Sequence, residues 1–211
     1  MNASQNLLEG GVWLHEPPNW RLEDGVLEVA TGQDTDFWRV THYGFVRDNG
    51  HFYHHTLLEQ DSFVAELRFS GQYQHLYDQA GLMLRLDDQN WIKAGIEYTD
   101  GKQHLSVVVT RERSDWSVML LEDPPEWVWL RLIRQDTAVH VHYSLDGQRY
   151  TLLRLAYLPD AARVQIGPMC CSPQGQGFQA RFADFKVGPL EGFELHGVDS
   201  VDSADGADGA G

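Results

Sequence analysis

Apolar and polar positions alternate along most of this chain. Residues 62–70 (SFVAELRFS), 91–98 (WIKAGIEY), 105–110 (LSVVVT), 128–134 (VWLRLIR), 139–144 (VHVHYS) and 178–187 (FQARFADFKV) all run with a period of two. They are rich in β-branched and aromatic residues and short, as strands are. Turn signals separate them: Asp24-Gly25, Asp48-Asn49-Gly50, Asp87-Asp88, Asp100-Gly101, Pro124-Pro125 and Asp146-Gly147. Asp-Gly supplies the positive φ of a tight hairpin, so several neighbouring runs should pair antiparallel. No stretch has the i, i+3, i+4, i+7 spacing of a helix; residues 152–162 are ambiguous and Pro159 closes them. The pattern predicts an all-β chain of about a dozen strands in two packed antiparallel sheets, a large jelly-roll sandwich.

Two runs share a distinctive outer face. Along 91–98 the residues Ile92, Ala94, Ile96 and Tyr98 face the core, which leaves Trp91, Lys93, Gly95 and Glu97 outward. Along 78–86 the apolar set is Ala80, Leu82, Leu84 and Leu86, leaving Gln79, Gly81, Met83 and Arg85 outward. Paired glycines on a face that also carries aromatic and charged side chains predict close approach of something to the sheet.

Composition narrows the partners. The 211 residues carry 16 Lys plus Arg against 31 Asp plus Glu, a net charge of −15. Phosphate-binding proteins need basic surfaces, so nucleic acid is an unsuited partner, and an anionic membrane surface would repel the chain. Six of the acids lie after Pro189 with no Lys or Arg among them, leaving −9 to the body. That segment is rich in Gly, Ala, Ser and Asp, so residues 1–188 are expected to form the domain and 189–211 a disordered acidic tail. The opening residues lack a basic stretch followed by an apolar run, and a signal peptide is not expected. Cys170 and Cys171 are adjacent and cannot staple distant elements, which fits buried reduced thiols and a cytoplasmic location.

The densest polar-aromatic segment is 34–51 (DTDFWRVTHYGFVRDNGH), read as one strand and its following loop. It supplies Asp36, Trp38, His42 and Tyr43 as candidate ligand-binding residues. A second cluster adds Asp78, Gln79, Trp91, Lys93 and Glu97, and the run 111–117 adds Asp115 and Trp116. Flat aromatic faces with amides and carboxylates suit the apolar faces and hydroxyl edges of a sugar. No metal or cofactor site is expected: His140 and His142 read as a strand face, and the aspartate pairs 34/36 and 87/88 as turn chemistry. There is no His-Glu-x-x-His, no Gly-x-Ser-x-Gly and no phosphate-cradling glycine loop.

The motifs TDFWRVTHYGF (35–45), DQAGLM (78–83), NWIKAGIE (90–97), RERSDWS (111–117) and PMCCSP (168–173) occur in that order. Together they resemble a domain family of unknown function that includes the fungal "regulation of enolase" protein. The resemblance runs from about residue 12 to 187. It implies a concanavalin A-like sandwich with one concave sheet, of the lectin/glucanase superfamily. The acid motif of sandwich glucanases is absent, so hydrolysis is not implied. Three functions follow as expectations. The first is a lectin-like protein binding a small saccharide or sugar-derived ligand on the concave sheet. The second is an enzyme acting on such a ligand, with Glu97 as acid/base, Lys93 tuning it and His42 assisting. The third, carried by the resemblance, is a regulatory protein that binds a metabolic enzyme.

Overall fold

A computed structural model describes residues 7–58 and 62–190. The tail from 191 onward, where disorder is expected, lies outside the described residues. The strands begin with β1 (Val12–Leu14), β2 (Asn19–Glu23), β3 (Val26–Ala30), β4 (Phe37–Arg39) and β5 (Val46–Asp48). They continue with β6 (His51–Leu58), β7 (Ser62–Gly71), β8 (Gln79–Arg85), β9 (Asn90–Thr99), β10 (Lys102–Arg111) and β11 (Arg113–Leu120). The last are β12 (Val128–Gln135), β13 (Ala138–Ser144), β14 (Thr151–Tyr157), β15 (Arg163–Cys171) and β16 (Gln179–Gly188). No helix occurs among the described residues.

One seven-stranded sheet has the order β1-β6-β15-β8-β9-β10-β11, and a second has the order β14-β13-β12-β7-β16-β3-β2. All their pairings are antiparallel. The inward positions of the period-two runs fill the space between them, with Leu67, Phe69, Leu82, Ile92, Ile96, Leu130 and Phe182 each no more than 2% exposed. Asp24-Gly25 and Asp100-Gly101 form tight turns with positive φ at both residues, as the hairpin reading requires. The ambiguous stretch 152–162 begins inside the edge strand β14 and holds all of it but Thr151.

The predicted faces of β8 and β9 hold. Gln79 lies opposite Glu97, Gly81 opposite Gly95, Met83 opposite Lys93 and Arg85 opposite Trp91. What the alternation does not reveal is that this outer face is covered. The segment 34–51 is not one strand and a loop: β4 and β5 pair as a separate small hairpin laid over the first sheet, and His51 opens β6. Phe37 from the hairpin packs with Phe52, Met83, Trp91, Met169 and Cys171 in a second apolar layer. The paired glycines also have a different cause from the one expected. A β-carbon on Gly81 would strike the Ala94 carbonyl, and one on Gly95 the Ala80 carbonyl. The close approach is between the two strands themselves.

Candidate functional site

The hairpin is fastened to the sheet by polar side chains. The Lys93 ammonium donates to the Phe37 carbonyl at 2.7 Å and to Asp36 Oδ1 at 3.3 Å. Arg85 grips Asp48 with two bonds of 2.8 and 2.9 Å, and Ser114 Oγ accepts from the Arg39 backbone N–H at 2.9 Å. At the base, His51 Nε2 accepts from the Gly32 N–H at 2.9 Å while Nδ1 lies 2.7 Å from the His15 carbonyl. The first bond makes Nε2 the bare nitrogen, so Nδ1 carries the proton of a neutral ring. At the tip, Val40 and His42 both have φ of 62°. A β-branched residue seldom adopts that conformation. It is held by Val40 N–H to the Phe45 carbonyl and Gly44 N–H to the Val40 carbonyl, both 2.7 Å.

Between hairpin and sheet lies a cleft of about 380 Å³. Its aromatic wall comprises Trp38, Tyr43 and Phe45 from the hairpin, Tyr77 from the loop before β8, and Trp116 from β11. Asp36, Gln79, Lys93 and Glu97 are its polar, buried members, and Asp34, Arg47, Pro173 and Gln174 complete the lining. Tyr43 and Tyr77 meet hydroxyl to hydroxyl at 3.0 Å. That bond, followed by burial, pushes the Tyr77 phenol up to about 12. Tyr43 stacks on Phe45 at 5.4 Å and meets Trp38 edge-on at 5.8 Å.

Glu97 is 7% exposed and accepts on one carboxylate oxygen from Ser106 Oγ at 2.6 Å and Trp116 Nε1 at 2.9 Å. Its other oxygen has no protein partner among the described residues. Burial raises its pKa above the ordinary carboxylate value, opposed by the Lys93 charge and the Ser106 and Trp116 bonds. Asp36, Lys93 and Glu97 thus place two carboxylates and one ammonium in a single desolvated floor. Among the described residues, no group of three or more His, Cys, Asp or Glu side chains could hold a metal ion.

Seven of the residues singled out from the sequence line this cleft: Asp36, Trp38, Tyr43, Gln79, Lys93, Glu97 and Trp116. Four do not. Trp91 is 1% exposed because Phe37 covers it, with ring centroids 6.2 Å apart. Asp78 is fully buried, accepting from the Gln74 and His75 N–H groups and from Ser172 Oγ at 2.6 Å, so its carboxylate is used up in holding a turn. Asp115 follows the strand alternation to the face opposite Trp116 and pairs with Arg154 at 3.4 Å. His42 is exposed at the hairpin tip, its ring against Tyr43 at 4.8 Å, and does not line the cleft.

Asp34, Phe45, Arg47, Tyr77, Pro173 and Gln174 line the cleft without having been selected from the sequence. The first four sit inside or beside the clusters already noted, and that was their signal. Pro173 and Gln174 follow β15, whose place beside β8 no local pattern gives. Ser106, the partner of Glu97, is legible only through the register that sets it opposite Gly95.

The family described as "Protein of unknown function (DUF1349)" matches residues 13–190. "Regulation of enolase protein 1" of Saccharomyces cerevisiae is 39% identical over 189 residues, covering 90% of this chain and 94% of that one. A solved structure of a functionally unknown protein from the same yeast is 38% identical, with a TM-score of 0.81 over 85% of this chain and 96% of that one. Two further likenesses concern the fold alone. The GH43 protein BlXynB of Bacillus licheniformis gives a TM-score of 0.64 at 15% identity, over 82% of this chain and 35% of that one. A lectin from Bauhinia forficata, solved with GalNAc, gives 0.53 at 11% identity, over 88% and 96%. The concanavalin A-like sandwich implied by the sequence motifs is therefore the fold of this chain.

Proposed function

The chain belongs to the DUF1349 family, and from that premise we propose that it is a lectin-like carbohydrate-binding protein whose site is the cleft under the β4–β5 hairpin. One observation carries the reading: an aromatic wall faces a floor of buried groups with unspent hydrogen-bonding capacity. Lys93 has a third proton beyond its two bonds, Glu97 a second oxygen, and the Gln79 amide oxygen is uncommitted, its Nε2 donating to the Tyr77 carbonyl at 3.1 Å. Sugars offer hydroxyl edges and apolar ring faces in the same molecule, which suits that division. A lectin solved with GalNAc shares the fold, and this supports the class without naming the sugar. The buried free thiols fit a cytoplasmic setting, which is part of the proposal.

Calorimetry and ligand-observed NMR with neutral monosaccharides test the reading. Saturable binding that Trp116→Ala weakens is expected. Silence across the panel at millimolar sugar would overturn it. A second reading draws on the name of the yeast relative, regulation of enolase, and would have the sandwich bind a metabolic enzyme through a sheet face. Co-purification of the pure proteins separates the two, because cleft substitutions would leave that association unchanged.

A further inference from the structure

Resting on the carbohydrate reading, we infer that the cleft takes a single un-ionised sugar unit end-on, as a free monosaccharide or a chain terminus, and rejects sugar phosphates and uronates.

The first ground is the continuity of the aromatic wall. Trp38 meets Tyr43 at 5.8 Å, Tyr43 bonds Tyr77 at 3.0 Å, and Tyr77 meets Trp116 edge-on at 6.3 Å. The Trp116 indole in turn donates to Glu97 at 2.9 Å, so the wall runs unbroken onto the floor. An oligosaccharide threaded across this wall would have to part the two tyrosines. A single unit entering from the open side would not. The volume of about 380 Å³ lies at the small end of ligand sites.

The second ground is charge. Asp34, Asp36 and Glu97 line the cleft against Lys93 and Arg47. Lys93 gives two of its three protons to Phe37 and Asp36, and Arg47 gives one N–H to the Asp34 carbonyl at 3.2 Å and lies over the Phe45 ring at 5.3 Å. Among the described residues, a phosphate or carboxylate entering the cleft meets three carboxylates against two cations, and the buried one of these cations, Lys93, already faces Asp36. The Glu97 and Gln79 oxygens left unspent on the floor are acceptors, which take hydroxyl protons. The chain's net charge of −15 adds long-range repulsion of an anion.

The test uses glucose, galactose, xylose and arabinose, the 6-phosphates and uronates of the hexoses, and linear oligomers of whichever sugar binds. Each anionic form should bind at least about tenfold more weakly than its parent, and lengthening from one to four units should change Kd by less than about threefold. Asp34→Asn removes an exposed charge at a position where φ of 55° suits asparagine, and should narrow the neutral-to-anionic ratio. A phosphate or uronate that binds as well as its parent overturns the charge argument. Affinity that climbs about tenfold with chain length overturns end-on entry. In both cases the carbohydrate reading stands; if no sugar binds at all, that reading itself falls.

Discussion

The Lys93 ammonium and the Phe37 carbonyl meet at 2.7 Å, joining residues 56 positions apart in the chain. Lys93 is 3% exposed and also faces Asp36, so one side chain holds the hairpin down and supplies the only cation on the cleft floor among the described residues. Lys93→Met keeps the aliphatic stem, takes the ammonium from the Phe37 carbonyl and leaves the buried Asp36 carboxylate with the Phe37 N–H but without its counter-charge. Breaking a buried pair on one side costs about 3 kcal/mol. Denaturant unfolding of Lys93→Met should show a loss of that order; a loss below about 1 kcal/mol, the range of ordinary surface changes, would mean that the hairpin is held by its apolar layer alone.

His51 makes stability depend on pH in a definite direction. Burial lowers its folded-state basicity below the ordinary 6.5. The unfolded chain therefore takes up a proton first as pH falls. Its contribution is complete above about 6.5 and is lost as pH drops from there toward the folded value. Protonation would also put a hydrogen on Nε2, where the Gly32 N–H already points. Unfolding free energy should fall between pH 7 and 5, and His51→Gln should flatten that slope. His54 and His140 are shifted downward too, so an unchanged slope in His51→Gln would transfer the effect to them.

Gly81→Ala and Gly95→Ala should each destabilise by about 1–3 kcal/mol or prevent folding, since the new methyl meets strand backbone that cannot rotate away. Gly188→Ala, with open space around its α-carbon, is the control and should stay within about 0.5 kcal/mol. Thermal unfolding of the three variants decides. If Gly81→Ala behaves like Gly188→Ala, the strands have room to separate and the glycines serve another end.

Cys170 and Cys171 have no exposed surface, and burial pushes both thiols upward. Thiolate is the reacting form, so a thiol reagent should label the native protein only as fast as it opens. Labelling of both thiols within seconds in native buffer would contradict their burial.

The alternation of the long strands was legible because a sheet with one buried face imposes it residue by residue; the facing of Lys93 and Glu97 follows from the same rule. The cover over that face was not legible. Trp91 and Glu97 share one strand face, yet Phe37, more than fifty residues earlier, buries the first while the second opens onto the cleft. β14 resisted assignment because Arg154 reaches Asp115 while Leu152 and Leu155 stay more than half exposed, an inversion of the usual pattern at a sheet edge. Asp78 and Asp115 look alike as composition; one caps a turn and the other spans an edge, and only the three-dimensional pairing separates them from Asp36.

Glu97 is where ligand and fold should come apart. Glu97→Gln retains an oxygen that can accept from Ser106 and Trp116 and replaces the partnerless oxygen with an amide nitrogen. The substitution preserves shape, so unfolding free energy at pH 7 should move by less than about 1 kcal/mol. The sign of its pH dependence is opposite to that of His51. Burial raises the folded carboxyl above the ordinary 4.5, so the native state holds a proton that the unfolded chain releases. That contribution is whole below about 4.5 and is lost as pH rises through the folded value. The balance between wild type and Glu97→Gln should therefore move toward the variant from pH 4.5 to 7. Binding should respond differently. Leaving a ligand hydroxyl without its charged acceptor costs about 1.5–3 kcal/mol, roughly ten- to a hundredfold in affinity. A folded protein that no longer holds its sugar places Glu97 at the ligand. A variant that unfolds instead makes the Asp36–Lys93–Glu97 group a structural network, and the site must then be sought among the aromatic residues alone.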